Sequence, residues 1–194
     1  MFSRKKRTDE RFGDLTFPYL KFLYNVALRY TGNRYDAEDL VQETLFSAYK
    51  NIHQLRDEKK CKAWLFAILR NTYIQESRQR GRMESLEYVK EVDYLGYLEE
   101  MADRSDVEKI IDKKIDSSRI QQALKKLPEK YKTPVILHYM EGMLYREISA
   151  TMEIPIGTVM SRLARGRVLL KKEIMRLLTS KTNVVELRKA AARE

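Results

Sequence analysis

Two short strings concentrate the side chains able to do chemistry. Near the front, Asp36-Ala37-Glu38-Asp39-Leu40-Val41-Gln42-Glu43 sets four acids within eight residues. A helix carrying them reads as a grip for a basic protein partner. Near the back, Gly157-Thr158-Val159-Met160-Ser161-Arg162-Leu163-Ala164-Arg165-Gly166-Arg167 interleaves arginines with small residues. That composition suits a helix entering a DNA groove. No nucleophile–base pair and no phosphate loop accompanies either string, so no catalytic residue and no cofactor is expected.

The elements that must position these strings are helical. The chain has 194 residues with only 7 Gly and 4 Pro, which favours long helices over a turn-rich sheet architecture. Hydrophobic residues at 43% and charged residues at 34% fit a globular protein. The length suits one ordinary domain or two small ones.

A formal net charge of +10 would draw the chain to a polyanion. Its distribution says more. Basic residues exceed acidic ones by five from Arg56 to Arg82 and again by five from Ile156 to Leu178, while acids exceed bases by six from Glu84 to Asp116. Two basic modules therefore flank an acidic connector.

Cys61 is the sole cysteine, so no intrachain disulfide can form and a reducing, cytoplasmic compartment is expected. Its thiol, just before a helix start, is either packed or an oxidant sensor. His53 and His138 lack metal-ligand spacing, so no metal site is expected. The longest apolar run, Ala63 to Leu69, is far too short to span a bilayer, and no membrane insertion is expected.

In the front module a stripe of Leu20, Leu23, Tyr24, Ala27 and Leu28 predicts a helix stopped by Gly32-Asn33. A second helix is expected to begin near Asp36 as its cap, burying Leu40, Val41, Thr44, Leu45, Ala48, Tyr49 and Ile52. Glu38, Asp39, Gln42, Glu43 and Phe46 are left outside. Those acids either solvate a surface or face a partner, and an aromatic rimmed by polar groups favours the partner. A third helix from about Cys61 to Arg80 buries Trp64, Leu65, Ile68, Leu69 and Thr72. Trp64 suits either the core or a base-stacking platform. Lys62, Arg70, Arg78, Arg80 and Arg82 would be free for phosphates.

In the back module Ile120, Leu124 and Leu127 form one turn series, and Tyr131 to Tyr139 begin another. Leu144, Ile148 and Met152 then give an apolar stripe, followed by the turn Glu153-Ile154-Pro155 and a helix that buries Val159 and Leu163. The pattern reads as a helix-turn-helix, with an ordinary helical hairpin as the alternative.

The DAEDLVQE string and the stretch LPEKY…EGMLYREISATMEIPIGTVMSRLARGR, in this order and spacing, closely resemble the extracytoplasmic-function (ECF, group four) sigma factors of the sigma-70 family. The resemblance runs from about Phe17 to Leu178. It implies an all-α fold of two small helical domains joined by a flexible acidic linker. Sigma region 2 would occupy 10–82, the linker 83–117, a region 4 helix-turn-helix 118–179 and a C-terminal tail 180–194. There is no room for the third-region domain of primary sigma factors.

The implied partners are bacterial core RNA polymerase, through the clamp helices of its largest subunit and its flap, promoter DNA, and an anti-sigma factor. Asp39, Gln42 and Glu43 correspond to polar contacts with polymerase, supported by Leu40 and Phe46. Leu55, Arg56 and Lys59, with Lys60 in the same loop and Asn71 at a pocket wall, would hold the melted minus-ten strand. Leu55 stands where some relatives carry an aromatic residue. Met160, Ser161, Ala164 and Arg165 would face the minus-thirty-five element, with Arg162, Arg167 and Lys171 at its backbone. Met160 replaces an Arg of relatives, so thymine-methyl contact or groove shape would substitute for a guanine contact. The rival is a stand-alone helix-turn-helix regulator that binds a duplex operator without polymerase.

Overall fold

A computed structural model describes the backbone of residues 2–79 and 117–191 and the side chains of 9–79 and 117–179. The described residues form helices and contain no strand. The acidic connector, together with Arg80 and Arg82, lies outside them.

The front module holds α1 (Phe2–Thr16), α2 (Leu20–Thr31), α3 (Arg34–Lys50) and α4 (Cys61–Gln79). Helix α1 precedes the expected apolar stripe and clasps the others from outside. Phe12 meets Tyr49 edge-on with ring centroids 5.3 Å apart, and the Tyr49 hydroxyl donates to Asp9 Oδ1 at 2.6 Å. Gly32 ends α2 at φ 77, a left-handed conformation that glycine adopts without penalty, and its N–H donates to the Leu28 carbonyl.

Helix α3 starts three residues earlier than a cap at Asp36 would place it. Asn33, not Asp36, is its cap: Asn33 Oδ1 accepts from the Asp36 N–H at 2.8 Å, and Asn33 Nδ2 donates to Asp36 Oδ2 at 2.6 Å. An amide can both accept and donate, so Asn33 caps the helix with its oxygen and holds the Asp36 carboxylate with its nitrogen.

The back module holds α5 (Ser117–Lys126), α6 (Glu129–Val135), α7 (Tyr145–Met152) and α8 (Ile156–Ala191). Pro134 removes one donor near the end of α6, and the chain widens into a π turn over Ile136–Met140. Helix α7 opens with the Leu144 N–H donating to Glu147 Oε2 at 2.7 Å. Leu144 itself is 68% exposed, so it does not join the buried stripe; it sits at the cap, outside the helix face that carries buried Ile148. Glu153 turns the chain at φ 52, and the Pro155 carbonyl accepts from the Thr158 and Val159 N–H groups to open α8. Helix α8 runs unbroken through the start of the tail to Ala191.

Helices α6 and α8 cross at Gly166, where a Cβ would lie 2.6 Å from Val135 Cγ2 and 3.2 Å from the Tyr131 carbonyl oxygen. Only a residue without a side chain permits that approach.

Leu23, Leu40, Leu65 and Leu69 are fully buried in front, as are Leu124, Ile136, Ile148 and Leu170 behind. Truncating any of them to alanine costs about 2–5 kcal/mol by lost transfer energy and cavity. The two sets belong to one continuous core, because α4 packs against α7 and α2 against α5. Each half alone would be a marginal core, and their union removes apolar surface that either would otherwise leave wet.

Candidate nucleic-acid and partner interfaces

The outer face of α3 is open. Asp39, Gln42 and Glu43 are exposed and Phe46 is 54% exposed, with Lys50 Nζ 3.9 Å from its ring centroid. Glu38 is drawn aside to Arg34 at 2.8 Å. Leu40 is fully buried, so it cannot touch a partner directly and supports the surface only from behind. The structure adds Tyr35, 80% exposed at the first turn. Its spacing to Asp39, Gln42 and Phe46 keeps it on one helical face, which is the pattern that could have found it. The result is an acidic strip with an aromatic ring at each end.

The loop between α3 and α4 is built from two short turns, Ile52–Gln54 and Glu58–Lys60. Asp57 Oδ1 accepts from the Lys59 N–H at 3.0 Å, and Glu58 pairs with Arg11 at 2.8 Å. Arg56, Lys59 and Lys60 are exposed, whereas Leu55 is half-buried against the core. Asn71 is exposed on α4. It lies about 16 Å of helix rise beyond Lys60, so loop and Asn71 are strung out along α4 rather than gathered into one compact pocket. Trp64 packs partly against the core.

Two of the cations expected to be free are engaged. Lys62 Nζ lies 4.4 Å from the centroid of the Phe22 ring. Arg70 Nε lies 3.5 Å from Glu129 Oε1 of the other module. Arg78 is exposed.

That ion pair belongs to a polar cluster between modules which single-sequence patterns do not signal. The Tyr30 hydroxyl lies 2.7 Å from Thr133 Oγ1, and Thr133 donates to Glu129 Oε1. Because the one Thr133 proton is committed to the carboxylate, Tyr30 is the donor to Thr133. Tyr30 and Tyr73 stack with centroids 4.6 Å apart. Gln121 Nε2 donates to the Arg29 carbonyl at 2.7 Å, satisfying the end of α2. Burial pushes the Glu129 carboxyl above its ordinary value, against the opposing pull of Thr133, Lys132, Arg70 and Tyr30. Burial raises Tyr30 well above the usual phenol value, with the Glu129 charge acting in the same direction.

Cys61 is buried, with Sγ donating to the Leu15 carbonyl at 3.3 Å. Burial and the Glu58 charge push its thiol up, away from the reactive thiolate. His53 is exposed, and His138 Nδ1 meets the Met143 carbonyl at 2.9 Å. Among the described residues no group of three or more potential ligands is gathered for a metal.

In the back module α7, its turn and α8 present one face outward. Met160 is 48% exposed, Ser161 and Arg165 are exposed, and Ala164, Arg162, Arg167 and Lys171 are partly covered. Val159 and Leu163 anchor the opposite face, fully buried or nearly so. Among these four cations, Arg165 is the one that stands exposed rather than partly covered.

Comparison with known proteins agrees with this geometry. The family model for sigma-70 region 2 matches residues 18–83, and that for sigma-70 region 4 matches 117–170. The ECF RNA polymerase sigma factor SigW of Bacillus subtilis is 32% identical over 88% of this chain and 92% of its own length. The ECF RNA polymerase sigma factor SigE of Mycolicibacterium smegmatis is 32% identical over 75% of this chain and 54% of its own length. In fold, the chain resembles the sigma factor RpoE from Bartonella quintana, solved in complex with the anti-sigma factor NepR. The TM-score is 0.60 at 24% identity, covering 86% of this chain and 98% of that one. No described helix is long and apolar enough to cross a membrane.

Proposed function

From the premise that this chain belongs to the ECF RNA polymerase sigma factors, we propose how its surfaces divide the work of initiation. As a sigma factor it binds core polymerase and directs it to promoters. The α3 strip of Asp39, Gln42, Glu43 and Phe46 grips the clamp helices, with Leu40 holding it from beneath. The loop of Leu55, Arg56, Lys59 and Lys60, continued by Asn71, takes the melted minus-ten strand. Met160, Ser161, Ala164 and Arg165 read minus-thirty-five duplex, while Arg162, Arg167 and Lys171 meet its phosphates.

The observation that carries this reading is the pairing, in one chain, of an exposed acidic–aromatic helix with an exposed helix-turn-helix face. A stand-alone regulator has no use for the first. Two weak sites joined by one chain raise the effective affinity for correctly spaced promoters. The protein itself catalyses nothing, works in the cytoplasm and is held in check by an anti-sigma factor that covers these surfaces.

Mixing the purified chain with core polymerase and a promoter-fragment library tests the reading. Specific initiation is the expected result. Tight binding to duplex alone, with no initiation on any template, would overturn it in favour of the regulator.

A further inference from the structure

Arg70 stands one residue before exposed Asn71 on the helix assigned to the melted strand, yet its partner is a carboxylate from the other module. A guanidinium binds carboxylate and phosphate through the same fork of donors. Glu129 thus occupies a guanidinium whose donors would serve a phosphate equally well. Thr133 and Tyr30 hold that carboxylate in line, and Lys132, its Nζ 3.5 Å from the Tyr73 hydroxyl, closes the cluster's other side.

We propose that Glu129 is an internal competitor of promoter DNA: it holds Arg70 while the modules are packed together, and yields it to a strand phosphate when they part. The proposal rests on the sigma-factor reading above.

Three observations support it. The first is span. Elements at minus ten and minus thirty-five lie about 85 Å apart on duplex, at about 3.4 Å per base pair, whereas here the two modules touch through Tyr30 and Thr133. Thirty-seven residues separate Gln79 from Ser117, and a chain of that length can reach about 120 Å.

The second is that the latch is incomplete. Glu129 Oε2 and Arg70 Nε are buried without a hydrogen-bond partner, and Arg70 Nε meets the other carboxylate oxygen, Oε1, as an ion pair at 3.5 Å. A phosphate with water around it would satisfy the guanidinium better than this carboxylate does. The third is order. The α3 strip is exposed while the modules are closed, so polymerase can dock before Arg70 is released, and strand capture follows core binding.

Binding of a random-sequence single-stranded 20-mer to the full chain, without polymerase and across a salt series, tests the competition. Glu129→Gln should tighten binding several-fold and steepen the log–log salt slope by about 0.7, the signature of one added phosphate contact. The double variant Glu129→Gln with Arg70→Gln should return both to the wild-type level. Unchanged affinity and slope in Glu129→Gln would overturn the proposal.

A reversible lock gives an independent test that survives a folding defect in that variant. Asn25 Nδ2 lies 3.4 Å from Glu141 Oε2 across the modules, so Asn25→Cys with Glu141→Cys can be bridged by a bis-maleimide carrying a cleavable internal disulfide while Cys61 stays buried. The bridged chain should bind core polymerase normally, fail to initiate on the promoter library, and recover when reductant cleaves the bridge. Initiation by the locked chain at wild-type level would overturn the competitor alone. Failure of the wild-type chain to initiate would instead bring down the sigma-factor reading.

Discussion

Helices α3 and α4 are neighbours in the front module and carry opposite charge, but they stand in opposite states. The α3 strip of Asp39, Gln42, Glu43 and Phe46 faces solvent. On α4, Lys62 covers an aromatic ring and Arg70 is paired with a buried acid. An open acidic strip can meet a basic partner without rearrangement, so its on-rate follows electrostatic steering. An engaged cation must first be released. The difference shows that availability, not charge alone, sets which partner the chain can meet first.

Reversing the charge of the open strip is the severest test of that contrast. Asp39→Lys with Glu43→Lys should cost about 2–5 kcal/mol of core-polymerase affinity while shifting folding stability by only about 0.5 kcal/mol, as exposed substitutions do. Titration of fluorescent core with the variant, beside a thermal melt, separates the two. A fall in stability equal to the fall in affinity would erase the distinction between the open and engaged helices.

The second open surface is expected to respond more modestly. Arg165→Ala should lose about 1–3 kcal/mol of discrimination between promoter sequences if the side chain reads a base. Competition among minus-thirty-five variants measures this, and a uniform loss across all of them would reassign Arg165 to the phosphates.

On the engaged side, Tyr30→Phe removes the donor to Thr133 and should cost about 1 kcal/mol of stability with polymerase affinity untouched. Denaturant midpoints at constant slope report it. A change in polymerase affinity would mean that the two regions are coupled more tightly than their geometry suggests.

The smallest effect is a pH dependence. Glu129 binds its proton more tightly in the packed state than when exposed, because burial outweighs Arg70 from α4, Tyr30 from α2, and Lys132 and Thr133 from α6. Its contribution is therefore full below the ordinary carboxyl range and is lost as pH rises through its raised value. Half-buried Glu141 is raised in the same direction. Melting midpoints should fall from acidic toward neutral pH, and Glu129→Gln should flatten that slope. An unchanged slope would place the linkage at Glu141 instead.

Much of this was legible in the chain because periodicity reports burial within an element. Leu23, Leu40, Leu65, Val159 and Leu163 lie where helical spacing puts them. The start of α3 was misplaced because Asn33 and Asp36 are both good caps, and the reciprocal bonds between them decide the matter only in three dimensions. The polar cluster was illegible for a different reason. Tyr30, Arg70 and Glu129 each look like ordinary surface or boundary residues, and the ion pair and hydrogen bonds by which the cluster joins the two modules span 59 residues or more. No local pattern reports a pairing at that distance. For the proposed surfaces, spacing placed most side chains outward, while buried Leu40 and half-buried Leu55 show that a motif position can lie beneath a surface.

Gly166 adds a consequence for how such a protein could change its targets. The crossing of α6 and α8 there is a fulcrum with no slack, since even a methyl group would press on Val135 and the Tyr131 carbonyl. Met160 to Arg165 sit within two turns of it on the same rigid helix. A wedge of any size at 166 would tilt that helix and alter the angle at which those side chains enter a groove. Promoter preference could drift through a position that never touches a base.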